Sequence, residues 1–80
     1  MLEILKHEKK TIGIKETLKA LKQEKIKVLY IADDLDSHLK REIKEVIDLS
    51  NVEVVNVESK RKLGIACGID VNASTVGILK

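Results

Sequence analysis

Eighty residues make one domain with a modest core and leave no room for a second. Apolar residues are 44% of the chain and aromatic residues 1%, with no Phe, Trp or Pro. The core must therefore be built from Ile, Leu, Val and Ala, and binding of single strands by stacking on aromatic platforms is disfavoured. One cysteine rules out an intrachain disulfide or a cysteine zinc cluster, and a net charge of +2 leaves the distribution of charge as the informative quantity.

Residues 1–27 hold eight Lys and four Glu, residues 28–58 three basic and eight acidic side chains, and residues 59–80 four basic and one acidic. Basic ends and an acidic middle make a basic face if the ends meet in space, and such a face suits a polyanion such as nucleic acid. A neutralising mixture over the whole surface gives the same totals. No apolar run approaches the ~18 residues of a membrane span. The start Met1-Leu2-Glu3-Ile4-Leu5-Lys6 lacks a signal-peptide pattern. A cytoplasmic, monomeric protein is the expectation.

In chain order, residues 2–8 are a short candidate helix with Leu2, Ile4 and Leu5 apolar. Lys9 to Ile12 is a short strand or a lead-in to Gly13. From about 13 to 23 the spacing predicts an amphipathic helix. Ile14, Leu18 and Leu21 form its buried stripe, and Lys15, Lys19 and Lys22 the opposite face, with Glu16 beside Lys19. The free N–H groups of its first turn are a natural anion site, and Gly13 lets a ligand backbone come close. Glu16 is unexpected there. A carboxylate can only accept, so it would want a neutral donor edge rather than a phosphate. The same Lys/Glu pattern is also what an ordinary solvated helix surface shows.

Lys27 to Ala32 reads as a central strand buried on both faces. Asp33, Asp34, Asp36 and Ser37 then offer several N-caps for a helix reaching about Leu49, with Leu39, Ile43, Val46 and Ile47 on one face. Ser50 and Asn51 break it. Val52 to Val57 is a further strand. Ser59 can cap a short helix from Lys60 to Cys67 with Leu63, Ala66 and Cys67 inward, and Gly68 suits its left-handed exit. Residues 69–72 are a loop and Ser74 to Leu79 a last strand. The alternation makes an α/β domain with helices packed on a small sheet.

Catalysis finds little support. Asp33, Asp34 and Asp36 at a strand end could form a metal or phosphoryl site, but capping by Asp34 or Asp36 explains them more simply, and no Gly-rich phosphate loop follows any strand. His38 has no evident partner, and Cys67 sits on an apolar helix face, as a core cysteine does. No cofactor or metal is implied. Lys60, Arg61 and Lys62 place three cations at a helix start, against the dipole, a conflict that an anionic partner would relieve. Two helix mouths, at Gly13 and Ser59, thus present lysines beside open N–H groups, which favours RNA binding over enzymatic function.

Three blocks, GIKETLK at 13–19, VLYIADDLD at 28–36 and VESKRKLGIACGIDV at 57–71, resemble the large-subunit ribosomal protein seven-Ae family, which includes the thirty-e type proteins. The resemblance runs from about Leu2 to Leu79 and is closest to short bacterial members that bind kink-turn RNA. It implies a three-layer α-β-α sandwich around a mixed four-stranded sheet. It also implies binding to sharply bent duplexes with a three-nucleotide bulge and tandem sheared G·A pairs, in ribosomal RNA or an mRNA leader. Gly13 matches the family glycine, and Lys15 stands where relatives usually have Asn. Glu16 and Lys19 match residues that read guanines. Asp36 matches an acidic residue facing the bulge, with Ser37 in place of the usual proline. Lys60 matches a backbone-contacting lysine, and Ile69, Asp70 and Val71 match the loop that packs on the bulged nucleotides. In a sheared G·A pair the guanine O6 and N7 stay open to a lysine, and its N1–H to an acceptor such as Glu16. Two other outcomes are a protein-interaction module on this fold with RNA binding lost, and a small enzyme using the Asp33–Asp36 cluster.

Overall fold

The computed structural model describes residues 9–48, 52–69 and 71–80. The candidate helix at 2–8, the break at Ser50-Asn51 and Asp70 fall outside them. In order the elements are β1 (Lys10–Ile12), α1 (Ile14–Lys22), β2 (Ile26–Ala32), α2 (Ser37–Ile47), β3 (Glu53–Val57), α3 (Lys60–Ala66) and β4 (Thr75–Leu79). They form one four-stranded sheet in the order β1-β4-β2-β3. β2 runs parallel to β3 and antiparallel to β4, which is antiparallel to β1, so the sheet is mixed.

Each face of the sheet carries its own core. On one face Leu18 and Leu21 of α1 and Ile43 of α2 pack on Ile26, Leu29 and Ile31. On the other, Leu63 and Ala66 of α3, with Cys67 just beyond it, pack on Ala32, Val57, Val76 and Ile78. The arrangement is the expected α-β-α sandwich. The continuous apolar run of β2 reflects its position inside the sheet with helices on both sides. Its one exposed residue near the start, Lys27, lies where the β2–β4 register slips between Ile26 and Val28. Residues 10–12 are a true strand: Thr11 pairs with Gly77. Gly77 leaves room for side chains of both strands that flank β4, since a Cβ there would meet Ile26 Cδ1 at 2.5 Å and Thr11 Oγ1 at 2.9 Å.

Topology decides what lies at each end of the sheet. β2 and β3 point the same way, and β1 points with them because two antiparallel steps separate it from β2. α1 follows β1, α2 follows β2 and α3 follows β3. All three helices therefore begin at one rim, with their positive dipole ends gathered there. The basic chain ends do meet, through β1 and β4, but much of that charge collects at the opposite rim. There Leu79 N–H donates to Lys9 C=O at 3.0 Å and Lys80 N–H to Lys25 C=O at 2.9 Å.

Candidate nucleic-acid interface

Backbone hydrogen bonds hold the helix-start rim together. Gly13 N–H donates to Thr75 C=O at 2.9 Å, Ala32 N–H to Ser74 C=O at 3.0 Å and Asp33 N–H to Val57 C=O at 2.7 Å. The entries to α1, α2 and α3 and the start of β4 are thereby one continuous surface. Gly13, Lys15, Glu16, Asp36 and Lys60 come from these helix entries, whereas Lys19 lies in the last turn of α1 and Ile69 and Val71 in the loop between α3 and β4.

At α1 the mouth is open. Gly13 is the N-cap, at φ 97° and ψ 158°, and no side chain caps the helix. That conformation belongs to glycine, and a Cβ built there would meet nothing within 4 Å. The glycine is needed for its backbone angles, and the space before it stays free. Lys15, Glu16 and Lys19 are exposed, while Thr17 between them is buried and shares a 3.0 Å hydrogen bond with Thr11 across to β1. Glu16 and Lys19 line one shallow cleft with Thr11, Ala20, Gln23, Lys25 and Leu79, so acceptor and cation stand side by side on α1.

At α3 two of the N–H groups expected to be open are occupied. Ser59 Oγ accepts from Lys62 N–H at 3.1 Å, and the Asp34 carboxylate accepts from Lys60 N–H at 2.9 Å. The acid that the dipole favours is present, supplied from 26 residues away rather than from the helix itself. The three cations at this helix start therefore conflict with the dipole less than the sequence implies, and Lys62 has an exposed ion pair with Glu58. Asp36 caps α2 through a 2.8 Å bond from His38 N–H. Both Asp34 and Asp36 are thus occupied by backbone donors, which argues against a metal or phosphoryl role for the acidic cluster.

Closing the α3 mouth fixes Lys60. Its N–H is held by Asp34 and its C=O accepts from Ala73 N–H at 3.0 Å. The loop ending at Ala73 crosses α3 over Gly64, where a Cβ would lie 3.2 Å from the Val71 carbonyl carbon and 3.3 Å from Asn72 Cα. Ile69 N–H also donates to Gly64 C=O at 3.1 Å. Gly64 is thus the reason the loop can lie on the helix with Val71 turned outward, 68% exposed. Gly68 leaves α3 at φ 76°, the left-handed exit expected of it.

Sequence reasoning missed three participants. Asp34 passed for a local cap, and Gly64 and Ile65 escaped notice, although Ile65 lies off the inward stripe of Leu63, Ala66 and Cys67. Ile65 is 60% exposed and lines a cleft with Arg61, Ile69, Val71 and Asn72. Cys67 is buried, and burial pushes its thiol pKa up with the Lys10 ammonium pulling the other way, so it is a core residue and a poor nucleophile.

The fold and rim define a small α-β-α domain that presents an uncapped helix mouth, a clamped lysine and an apolar loop on one surface. The chain belongs to the ribosomal protein L7Ae/L30e/S12e/Gadd45 family, whose model matches residues 2–80. It is 41% identical over 69 residues to a protein of Halalkalibacterium halodurans named RNA-binding protein BH0128, covering 86% of this chain and 84% of the relative. It is 39% identical over 67 residues to RNA-binding protein TTE2299 of Caldanaerobacter subterraneus, covering 84% and 82%. Among solved structures, the Giardia lamblia 15.5kD RNA binding protein superposes with a TM-score of 0.87 at 27% identity, over 99% of this chain and 70% of that one. Among the described residues no helix is long and apolar enough to cross a membrane.

Proposed function

We propose that this chain is an RNA-binding domain, not an enzyme, and that it recognises and stabilises kink-turns. The observation that carries the reading is the unequal treatment of the two lysine-bearing helix mouths on one rim. The α3 mouth is sealed and used as scaffold, and the α1 mouth is left open beside Glu16 and Lys19. The family membership and the names of the relatives support RNA as the ligand.

Each residue then has a chemical task. The open N–H groups of the turn that follows Gly13, those of Ile14, Lys15 and Glu16, face the RNA backbone, where the dipole favours phosphate. Lys15 adds a cation at the same turn. Lys19 donates to the O6/N7 edge of a sheared guanine, and Glu16 accepts from the N1–H that such a pair leaves free. Lys60, clamped at both its backbone groups, offers a pre-positioned ammonium to a phosphate. Val71 and Ile69, with Asp70 between them, give the unstacked bulge an aliphatic surface in a chain without aromatic platforms. Asp36, with one carboxylate oxygen on His38 N–H, keeps lone pairs for a bulge base or hydroxyl.

The deciding experiment is a titration of the full chain with a kink-turn RNA and with the same RNA whose sheared G·A pairs are replaced by Watson–Crick pairs. The kink-turn should bind far more tightly. Equal affinity would overturn kink-turn recognition and leave general RNA binding.

A further inference from the structure

The rim opposite the helix starts collects five lysines that the proposed interface does not use. Lys9 precedes β1, Lys22 ends α1, Lys25 leads into β2, Lys27 lies on β2, and Lys80 follows β4. Sheet hydrogen bonds hold three of these segments in fixed relation: Leu79 N–H to Lys9 C=O at 3.0 Å, and Lys80 N–H to Lys25 C=O at 2.9 Å. All five side chains are exposed, and none of their ammonium groups has an ion-pair or hydrogen-bond partner among the described residues. Among the described residues the acids near them are Glu16, which lines a cleft with Lys25, Glu24 in the turn after α1, and Glu53 on β3, whose Cα pairs with Val28 of β2.

Ordinary structural roles explain only part of this cluster. A cation in the last turn of a helix complements its dipole, which accounts for Lys22. Lysines also guard edge strands, which accounts for Lys9 just before β1. Neither role reaches Lys27 on β2, Lys80 just after β4 or Lys25 just before β2, since β2 and β4 are the two central strands. Five unpaired cations drawn from four segments repel one another, and a surface holds them together most comfortably when a polyanion meets it.

We infer that this lysine pole binds the phosphate backbone of an RNA duplex, so that the domain contacts RNA at both ends of its sheet. The inference rests on the RNA-binding reading above for its choice of polyanion. β2 spans seven residues, which at about 3.3 Å per residue separates the poles by roughly 20 Å. A phosphate held at the α3 entry by Lys60 is therefore out of reach of Lys9, Lys27 and Lys80, and the second contact falls on a different duplex segment. The helix-start rim selects the RNA, and the lysine pole draws another helical segment to it without reading sequence. The domain would thus bring two RNA helices together.

The test uses the whole chain, an immobilised minimal kink-turn RNA and a labelled plain RNA duplex. Wild type should capture the duplex on the kink-turn surface. The triple variant Lys9→Gln, Lys27→Gln, Lys80→Gln, which leaves Lys25 and the cleft it shares with Glu16 and Lys19 untouched, should bind the kink-turn unchanged, melt at the same temperature and lose capture. In direct titrations of plain duplex its salt slope should fall by roughly two to three units, about one per lost phosphate contact. Capture that survives in the variant, or that wild type never shows, overturns the inference. So does lysine-dependent binding to vesicles of anionic lipid without any to duplex. Loss of kink-turn binding by wild type would sink the earlier reading instead, and the plain-duplex titration would still judge the lysine pole alone.

Discussion

α1 is entered through a glycine that supplies no capping group, and α3 through a serine that caps Lys62 N–H while Asp34 reaches across to Lys60 N–H. Both helices start on the same rim, both carry lysines in their first turns, and both have the same dipole. Only one is available to a ligand. The difference shows how a helix start is assigned to structure or to binding. A carboxylate delivered from another segment satisfies the donors and locks two elements together, whereas a glycine with open space before it leaves the donors for a guest. The sealed mouth has a binding role too, but at one remove, because it fixes Lys60 and the loop that carries Val71.

The largest effect expected from disturbing this contrast is at Gly64. Ala is ordinarily the better helix former by about 1 kcal/mol. Here the added methyl collides with the backbone of Val71 and Asn72, which cannot swing aside as a side-chain tip could. Gly64→Ala should therefore destabilise by about 3 kcal/mol, near the top of the usual overpacking range. It should also weaken kink-turn binding by lifting the loop. Thermal and chemical denaturation measure the first effect and titration of the folded fraction the second. A more stable Gly64→Ala variant would show that the loop does not rest on α3.

Next in size is Glu16→Gln, which probes the open mouth. Electrostatics alone says that removing a carboxylate from a basic surface improves RNA binding. If Glu16 accepts from a guanine N1–H, the kink-turn should instead lose about 1–3 kcal/mol, as a charge-assisted bond becomes a neutral one. Plain duplex should bind equally well or slightly better. Titrating both RNAs at one salt concentration separates the outcomes, and affinities that rise together would leave Glu16 a solvated surface residue.

A smaller change is expected at Lys60. Lys60→Ala should weaken binding to all RNAs alike and lower the salt slope by about one unit, because one phosphate contact is lost. Its backbone clamps, which involve no side-chain atom of Lys60, should hold the loop in place. An unchanged slope would take Lys60 off the phosphate.

How far the sequence showed this arrangement depends on how far apart the partners are along the chain. The stripes of α1 and α2, the buried run of β2, the caps at Ser59 and Asp36 and the exit at Gly68 rest on neighbours within a few residues, so periodicity and cap chemistry revealed them. The pairing of Asp34 with Lys60 spans 26 residues and follows from β2 and β3 lying parallel and adjacent, which no local pattern encodes. Gly64 was obscure for the same reason, since what it accommodates is a loop folding back from beyond the helix. Charge totals by segment showed that the ends were basic. They could not show that topology would divide that charge between two rims.

The least effect, and the most direct test of the contrast, is expected at Asp34. Removing a capping carboxylate ordinarily costs about 1 kcal/mol, and Asp34→Ala should cost about that, since the site is exposed and water can reach the freed Lys60 N–H. Asp34→Asn keeps an acceptor oxygen and should recover most of that loss. For RNA the two opposing consequences differ in kind. Removing a negative charge from the rim favours phosphate at any RNA and at low salt above all. Freeing Lys60 N–H loosens the clamp on Lys60 and, through its carbonyl bond to Ala73, on the loop. If the seal matters for recognition, Asp34→Ala should raise affinity for plain duplex while lowering it for the kink-turn, and Asp34→Asn should raise the first without lowering the second. Hydrogen exchange at the Lys60 and Ala73 amides reads the clamp independently of RNA, and both should exchange faster in Asp34→Ala. Unaltered exchange would mean that Ser59 closes the α3 mouth alone, and the two helix starts would then differ only in their own capping residue.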